Sequence, residues 1–186
     1  MNPALCSIII PASKAESTIS LALDSLVAQT CHDWRAFVIV DGPEGNDATL
    51  KIANDYAARD SRFEVLRNRQ NLGAADSRNR GVRAAATPWI AFLDSDDVFH
   101  PDKLEQQLAL AEQKGASFLC SAYVLTAYRK AEDDTSSPPI FICAAPYQPP
   151  SFDNLLQESI MVNSNTPFIP TCCFRLTKHR SGVDET

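Results

Sequence analysis

PWIAFLDSDDVFHPDKLE, residues 88–105, is the stretch on which the fold turns. Trp89 to Leu93 is an apolar run, too short for a helix and without alternation. Such a run predicts a strand buried on both faces of a parallel sheet. Asp94, Ser95, Asp96 and Asp97 follow at once, three carboxylates within four residues. Pro101 then stands where a first helical position would be, and Leu104, Leu108 and Ala111 continue at helical spacing. Adjacent like charges at the end of a low-dielectric sheet raise one another's pKa unless a cation compensates. A hard cation, Mn²⁺ or Mg²⁺, prefers oxygen ligands and can be shared with a diphosphate. The plainer reading is an acidic helix N-terminus, where carboxylates are also favoured. Three acids packed at a strand's carboxyl end favour the metal.

The same rhythm runs upstream. Leu5 to Ile10 reads as a strand ended by Pro11, and Ile19, Leu23, Leu26 and Val27 place a helix over about Ala15 to Ala28. Trp34 to Val40 is a second strand that stops at Asp41-Gly42-Pro43, a turn signal. A helix from about Asp47 to Ala58, a strand at Phe63 to Leu66 and a helix at Ala74 to Ala86 follow. Ser117 to Leu125 predicts a fifth strand. This βαβαβαβ order implies an α/β fold with an open, mainly parallel sheet flanked by helices. Ligands of such sheets sit beyond the carboxyl ends of the strands. The positions after Ile10, Val40, Leu66 and Leu93 are therefore the ones to read.

Past residue 130 the pattern breaks. Pro138, Pro139, Pro146, Pro149 and Pro150 interrupt a polar stretch, which predicts a long irregular connection. A short helix at Ser151 to Ile160 and a last strand at Thr171 to Leu176 are expected beyond it. The division that results is a core at 1–130 and a trailing region at 131–186.

Bulk properties narrow the function. The 186 residues are 45% hydrophobic and 22% charged, ordinary for a globular domain, with a net charge of −6 and pI near 5.0. An acidic chain is a poor nucleic-acid binder. If it takes a phosphorylated ligand, something local must offset the repulsion. None of the six cysteines forms a CxxC pair, so reduced thiols are expected rather than a zinc site. The first residues lack a basic start with a long apolar segment, so the chain reads as cytoplasmic. There is no P-loop and no dinucleotide fingerprint. The three histidines lack metal spacing, though His100 could approach phosphates.

Other single residues are ambiguous alone. Asp41 could accept from a nucleobase N–H or a ribose hydroxyl, or simply hold an Asp-Gly turn. Arg78 and Arg80 could each pair a diphosphate through a bidentate guanidinium. Two apart on a helix, they face different directions, which leaves one for a ligand and the other for solvent.

In this order, SIIIPA (7–12), LDSLVAQT (23–30), DWRAFVIVDG (33–42), NLGAADSRNRG (71–81) and the opening stretch resemble the family 2 glycosyltransferases. The resemblance spans about residues 5 to 125. It implies a GT-A type, Rossmann-like nucleotide-diphospho-sugar transferase fold. It also implies a UDP- or other nucleotide-sugar donor, an Mn²⁺ or Mg²⁺ ion, and transfer with inversion by direct displacement. By resemblance, Pro11, Ala12 and Asp41 lie around the base, while Arg78, Asp94 and Ser95 belong to the donor site. Asp96 would hold the metal. The acceptor would be a glycan or a lipid-linked sugar, with membrane contact only through regions outside this chain. Ser13-Lys14 stands where the family usually has an aromatic and a polar residue, which weakens uridine specificity. Asp41-Gly42-Pro43-Glu44 replaces the usual pair of acids. Gly182-Val183-Asp184-Glu185 resembles the stretch that precedes the family's general base, so that base is expected beyond Thr186, with Asp184 or Glu185 as the alternative. The alternative is a truncated or degenerate nucleotide-sugar-binding module without turnover.

Overall fold

Cys6–Ala12 forms the central strand, β1, and every residue of it is buried. The computed structural model describes residues 4–42, 48–115, 119–120, 124–125, 142–143 and 167–171. Around β1 lie β2 (Trp34–Asp41), β3 (Phe63–Asn68) and β4 (Trp89–Phe92), with helices α1 (Ile19–Val27), α2 (Ala48–Arg59), α3 (Gly73–Ala84) and α4 (Lys103–Lys114). β1 pairs in parallel with β2 on one side and β4 on the other, and β2 pairs in parallel with β3. These four strands form the expected parallel sheet. The order β3-β2-β1-β4 reverses at β1, so the topological switch, where sheets of this kind bind their ligands, lies between β1 and β4.

β1 does not stop before Pro11, as the sequence reading expected; it runs through Ala12. Trp89 N donates to Leu5 O and Leu93 N to Ile9 O, so the odd residues of β1 turn their backbone groups toward β4. Pairing with β4 ends at Ile9↔Phe92. Pro11 therefore lacks its N–H where no partner strand remains to need it.

Alternation along β1 assigns each face to its helices. Ile8, Ile10 and Ala12 join Ala36, Val38 and Val40 against Ile19, Leu23 and Leu26 of α1 and Leu104 and Ala111 of α4. Ile9 joins Phe37, Ile39, Ile90 and Phe92 on the other face, where α3 packs. Gly81 lets α3 come this close. A Cβ there would lie 2.5 Å from Ile9 Cγ2 and 2.8 Å from Ile39 Cδ1. At the amino ends of the strands, Trp34 stacks edge-on against Phe63 at 5.3 Å, with the Arg62 guanidinium 4.0 Å over its ring.

Three expectations need correction. α4 begins at Lys103 and not at Pro101, because residues 100–103 close a tighter turn in which Lys103 N donates to His100 O (3.0 Å). The single strand over Ser117–Leu125 is two short ones, β5 (Leu119–Cys120) and β6 (Val124–Leu125). β6 pairs with β7 (Ile142–Cys143) in a separate ribbon. The last described strand is β8 (Pro167–Pro170), ahead of the expected Thr171. It inserts antiparallel between β4 and β5. Its flanking prolines hid it, since proline cannot donate to a ladder. The rest of the irregular connection, the helix at Ser151–Ile160, residues 172–176 and the Gly182–Glu185 stretch lie outside the described residues.

Candidate donor-binding site

Helix α3 organises the carboxyl end of the sheet. Its first turn caps Asp41, the last residue of β2. Gly73 adopts φ +83°, a left-handed conformation that glycine takes without cost, and this turns successive backbone N–H groups toward one carboxylate. Leu72 N donates to Asp41 Oδ1 (2.9 Å) and Gly73 N to Oδ2 (2.7 Å). Asn68 Nδ2, at the end of β3, adds a bond to Oδ1 (2.8 Å). Burial pushes the Asp41 carboxyl up. The bonds from Leu72, Asn68, Gly73 and Ser77 outweigh it and hold the carboxyl below its ordinary value. Asp41 is thus a buried, ionised pin between β2 and α3.

The middle of α3 reaches the other strands. Ser77 Oγ accepts from Asn68 Nδ2 (2.9 Å). The next residue, Arg78, pairs through Nη2 with Asp94 Oδ1 at 2.5 Å, just past β4. Arg78 Nε is buried without a hydrogen-bond partner, so the guanidinium retains donor capacity. Arg80 does not turn to solvent, as the spacing argument expected. Its Nη1 donates to Asn68 Oδ1 (2.6 Å) and to Arg67 O, which locks it to the end of β3. The structure therefore separates two arginines that the sequence left equivalent. One is committed to the fold and the other faces the acidic turn.

That turn is closed by Asp97 N donating to Asp94 O (3.1 Å). Asp94 and Ser95 are half-buried, while Asp96 and Asp97 are exposed. Burial, then the charges of Asp96 and Asp94, pushes the Asp97 carboxyl up. The turn thus accumulates negative charge that its own cation, Arg78, only partly offsets. Among the described residues, no three His, Cys, Asp or Glu side chains converge into a complete cation cage. The donors present are hard carboxylate oxygens on one side only. That set fits a divalent cation whose remaining ligands come from a phosphate group and water.

Pro11 and Ala12 are packed into the sheet. The exposed side chains at that corner are Ser13 and Lys14. Ser13 Oγ donates to the main-chain oxygen of Asp41 (3.0 Å), and Ala15 N donates to Thr49 Oγ1 (2.9 Å), so the loop is anchored at both ends with Lys14 at φ 51° between them. His100 is held by its neighbour Asp102 and is largely exposed.

Two residues escaped the sequence reading. Asn68 is 1% exposed and joins Asp41, Ser77 and Arg80. Its signal was a polar residue at the carboxyl end of a strand that appeared to stop at Leu66. Gln29, also 1% exposed, accepts from Leu104 N (3.1 Å) and donates to His100 O (2.8 Å) and Ser25 O (3.1 Å). It replaces the missing side-chain cap of α4 and fixes the segment that follows the acidic turn. Among the described residues, Cys6 and Cys31 are free thiols, and no helix is long and apolar enough to cross a membrane.

A largely parallel α/β sheet with an acidic turn and a facing arginine at its switch point belongs to the class of open α/β folds whose ligand sites lie at that edge. The profile of "Glycosyl transferase family 2" matches residues 7–176, and the chain belongs to that family. It is 37% identical over 123 residues to the UDP-Glc:alpha-D-GlcNAc-diphosphoundecaprenol beta-1,3-glucosyltransferase WfgD of Escherichia coli, covering 66% of this chain and 47% of that protein. A putative teichuronic acid biosynthesis glycosyltransferase of Bacillus subtilis, TuaG, is 33% identical, covering 66% and 48%. The match thus spans about half the length of these relatives. Among solved structures, S. aureus TarS 1-349 in complex with UDP superposes with a TM-score of 0.66 at 21% identity, covering 92% of this chain and 48% of that one. The Pyrobaculum calidifontis mannosyltransferase PcManGT, in complex with GDP-Man and Mn²⁺, gives 0.57 at 16% identity, covering 66% and 37%. These likenesses establish the GT-A type fold.

Proposed function

We propose that this chain builds the donor half of a sugar-transfer site. It binds a nucleotide-diphospho-sugar, with a UDP-sugar the first candidate, across the carboxyl ends of β1, β2 and β4. The sugar then passes to a glycan or lipid-linked acceptor with inversion at the anomeric carbon. The observation that carries this reading is the Arg78–Asp94 pair at the acidic turn, 2.5 Å apart. It sets a phosphate-seeking guanidinium beside carboxylates that suit a hard cation. The complexes of TarS with UDP and of PcManGT with GDP-Man and Mn²⁺ support the same ligand chemistry.

In this reading Pro11, Ala12 and Asp41 shape the base side. Arg78, Asp94 and Ser95 face the diphosphate and sugar. Asp96 holds Mn²⁺ or Mg²⁺, which when bound neutralises the diphosphate and eases its departure. Direct displacement also requires a general base to take the acceptor's hydroxyl proton, and none of the described carboxylates is assigned that role. The diphosphoundecaprenol acceptor in the name of the E. coli relative suggests a cytoplasmic enzyme working at the inner membrane face.

The test is thermal unfolding of this chain and of Asp96→Ala with UDP, GDP and dTDP, each with and without Mn²⁺. A ligand at 100 times its dissociation constant stabilises by about 2.7 kcal/mol. That corresponds to a shift of roughly 5–10 °C for a chain of this size. The reading expects a Mn²⁺-dependent shift with one nucleotide, lost in Asp96→Ala. No shift with any of them removes the donor site.

A further inference from the structure

We infer that Asn68 is the positioning residue of this site, acting on a ligand it does not touch through the orientation of Arg78. This rests on the donor-site reading above. The inference comes from how the amide is used. Asn68 is 1% exposed and ends β3, the edge strand of the sheet. Its Nδ2 donates to Asp41 Oδ1 (2.8 Å) and to Ser77 Oγ (2.9 Å), and its Oδ1 accepts from Arg80 Nη1 (2.6 Å). One side chain therefore joins the end of β2 to two positions on α3. Those positions, Ser77 and Arg80, bracket Arg78. Gly81 packs the next turn onto Ile9 and Ile39, so α3 cannot tilt toward the sheet. Asn68 fixes how far the helix slides and rotates along it.

Arg78 depends on that setting. It meets Asp94 through a single Nη2 contact, and its Nε has no partner to hold it. Its aim is set by the backbone it stands on. A small rotation of α3 would carry Nη2 away from Asp94 and from any phosphate near the acidic turn. An aspartate at position 68 could not take the same role, because a carboxylate there would face Asp41. Only an amide can donate to Asp41 and Ser77 and accept from Arg80 at once.

The experiment is a double-mutant cycle read by calorimetric titration of UDP, GDP and dTDP in the presence of Mn²⁺. It compares the native chain with Asn68→Ala, Ser77→Ala, Arg78→Ala and the two combinations with Arg78→Ala. Unfolding midpoints are recorded for each. Groups that orient a metal-ligating side chain typically cost about 10–100-fold in affinity or activity when removed, and the lower end of that range sets the scale for orienting Arg78. Asn68→Ala is expected to weaken nucleotide binding by about that factor, and Ser77→Ala by a smaller one. In the Arg78→Ala background both losses should fall below about twofold, because the residue they act through is gone. A merely structural asparagine would lower affinity equally in both backgrounds, and that additivity overturns the inference. Should Asn68→Ala not fold, Ser77→Ala, which removes one hydroxyl and leaves Asp41 its bonds from Asn68, Leu72 and Gly73, decides the same question. A native chain that binds none of the three nucleotides overturns the donor-site reading itself. A native chain that binds, with additive losses, overturns only the role given to Asn68.

Discussion

Replacing Asp41 by asparagine tests the buried carboxylate that ties β2 to the end of β3 and the start of α3. The side chains are nearly isosteric, so packing is unchanged and the effect is electrostatic. Asp41 Oδ1 accepts from Asn68 Nδ2 and Leu72 N, and Oδ2 from Gly73 N at 2.7 Å. An amide keeps one acceptor. If its oxygen stays on the Oδ1 side, its NH₂ meets Gly73 N donor to donor; if it flips, it meets two donors. At least one charge-assisted bond is lost, worth about 1.5–3 kcal/mol, and a buried donor is orphaned. We expect Asp41→Asn to destabilise by about 2–3 kcal/mol at pH 7, or roughly 4–12 °C in Tm.

The pH dependence gives the sharper reading. Asp41's folded pKa is lowered, so its contribution is fully present above the unfolded aspartate value and is lost as pH falls through the folded value. Below that point the protonated carboxyl, with one acceptor oxygen and one O–H donor, resembles the amide. The gap between the two proteins should therefore be widest above about pH 5 and should close on acidification below about pH 4. Asp60, held low by its bonds from Arg62, titrates identically in both proteins and cancels in the difference. Urea unfolding at pH 7, 5 and 3.5 measures it. A gap under about 0.5 kcal/mol at pH 7, smaller than the bond lost, would refute the pin, as would one that does not change with pH.

Gly81→Ala should destabilise despite alanine's helix advantage of about 1 kcal/mol. The added methyl meets Ile9 and Ile39 at under 3 Å, and overpacking costs about 1–3 kcal/mol; a urea midpoint above that of the native chain would refute the close packing. Gln29→Ala leaves Leu104 N without its partner, while His100 O keeps its bond from Lys103 N. A stranded buried donor costs about 1–3 kcal/mol, readable as a lower unfolding midpoint. Asp94→Asn should cost under about 1 kcal/mol of stability, since its pair with Arg78 is partly solvated. The same variant should lose the nucleotide-dependent shift, which separates a ligand role from a structural one.

How much of this was legible in the sequence follows from the range of each signal. β1, β2 and β4 declare themselves because buried parallel strands are continuous apolar runs, α1 and α4 by their spacing, and α3 by Gly73 before it and Thr87-Pro88 after it. The acidic turn is equally local, four residues at one strand's end. What stayed hidden depends on contacts between residues far apart in the chain. Nothing near Arg80 in sequence marks it as the partner of Asn68, 12 positions away, and nothing near Gln29 points to Leu104, 75 positions away. β8 joins β4 across some 78 residues, with prolines at both its ends, so pairing and not composition makes it a strand.

The four acids at this edge divide by what donates to them. Asp41 meets backbone and amide donors from α3 and β3, and its charge is satisfied inside the protein. Asp94 shares one arginine, Asp96 is exposed, and Asp97 is pushed up by burial and its neighbours' charge. A fold seeking only stability would not hold three carboxylates against one another after a buried strand, since their repulsion raises the free energy of the native state. The one acid that steadies the architecture stands apart from the three that strain it. The strained set is the one that an added cation and an anionic ligand would relieve together. That asymmetry is why Asp94 and Asp96 variants should remove binding at little structural cost, while Asp41 variants should unfold the helix on which the site stands.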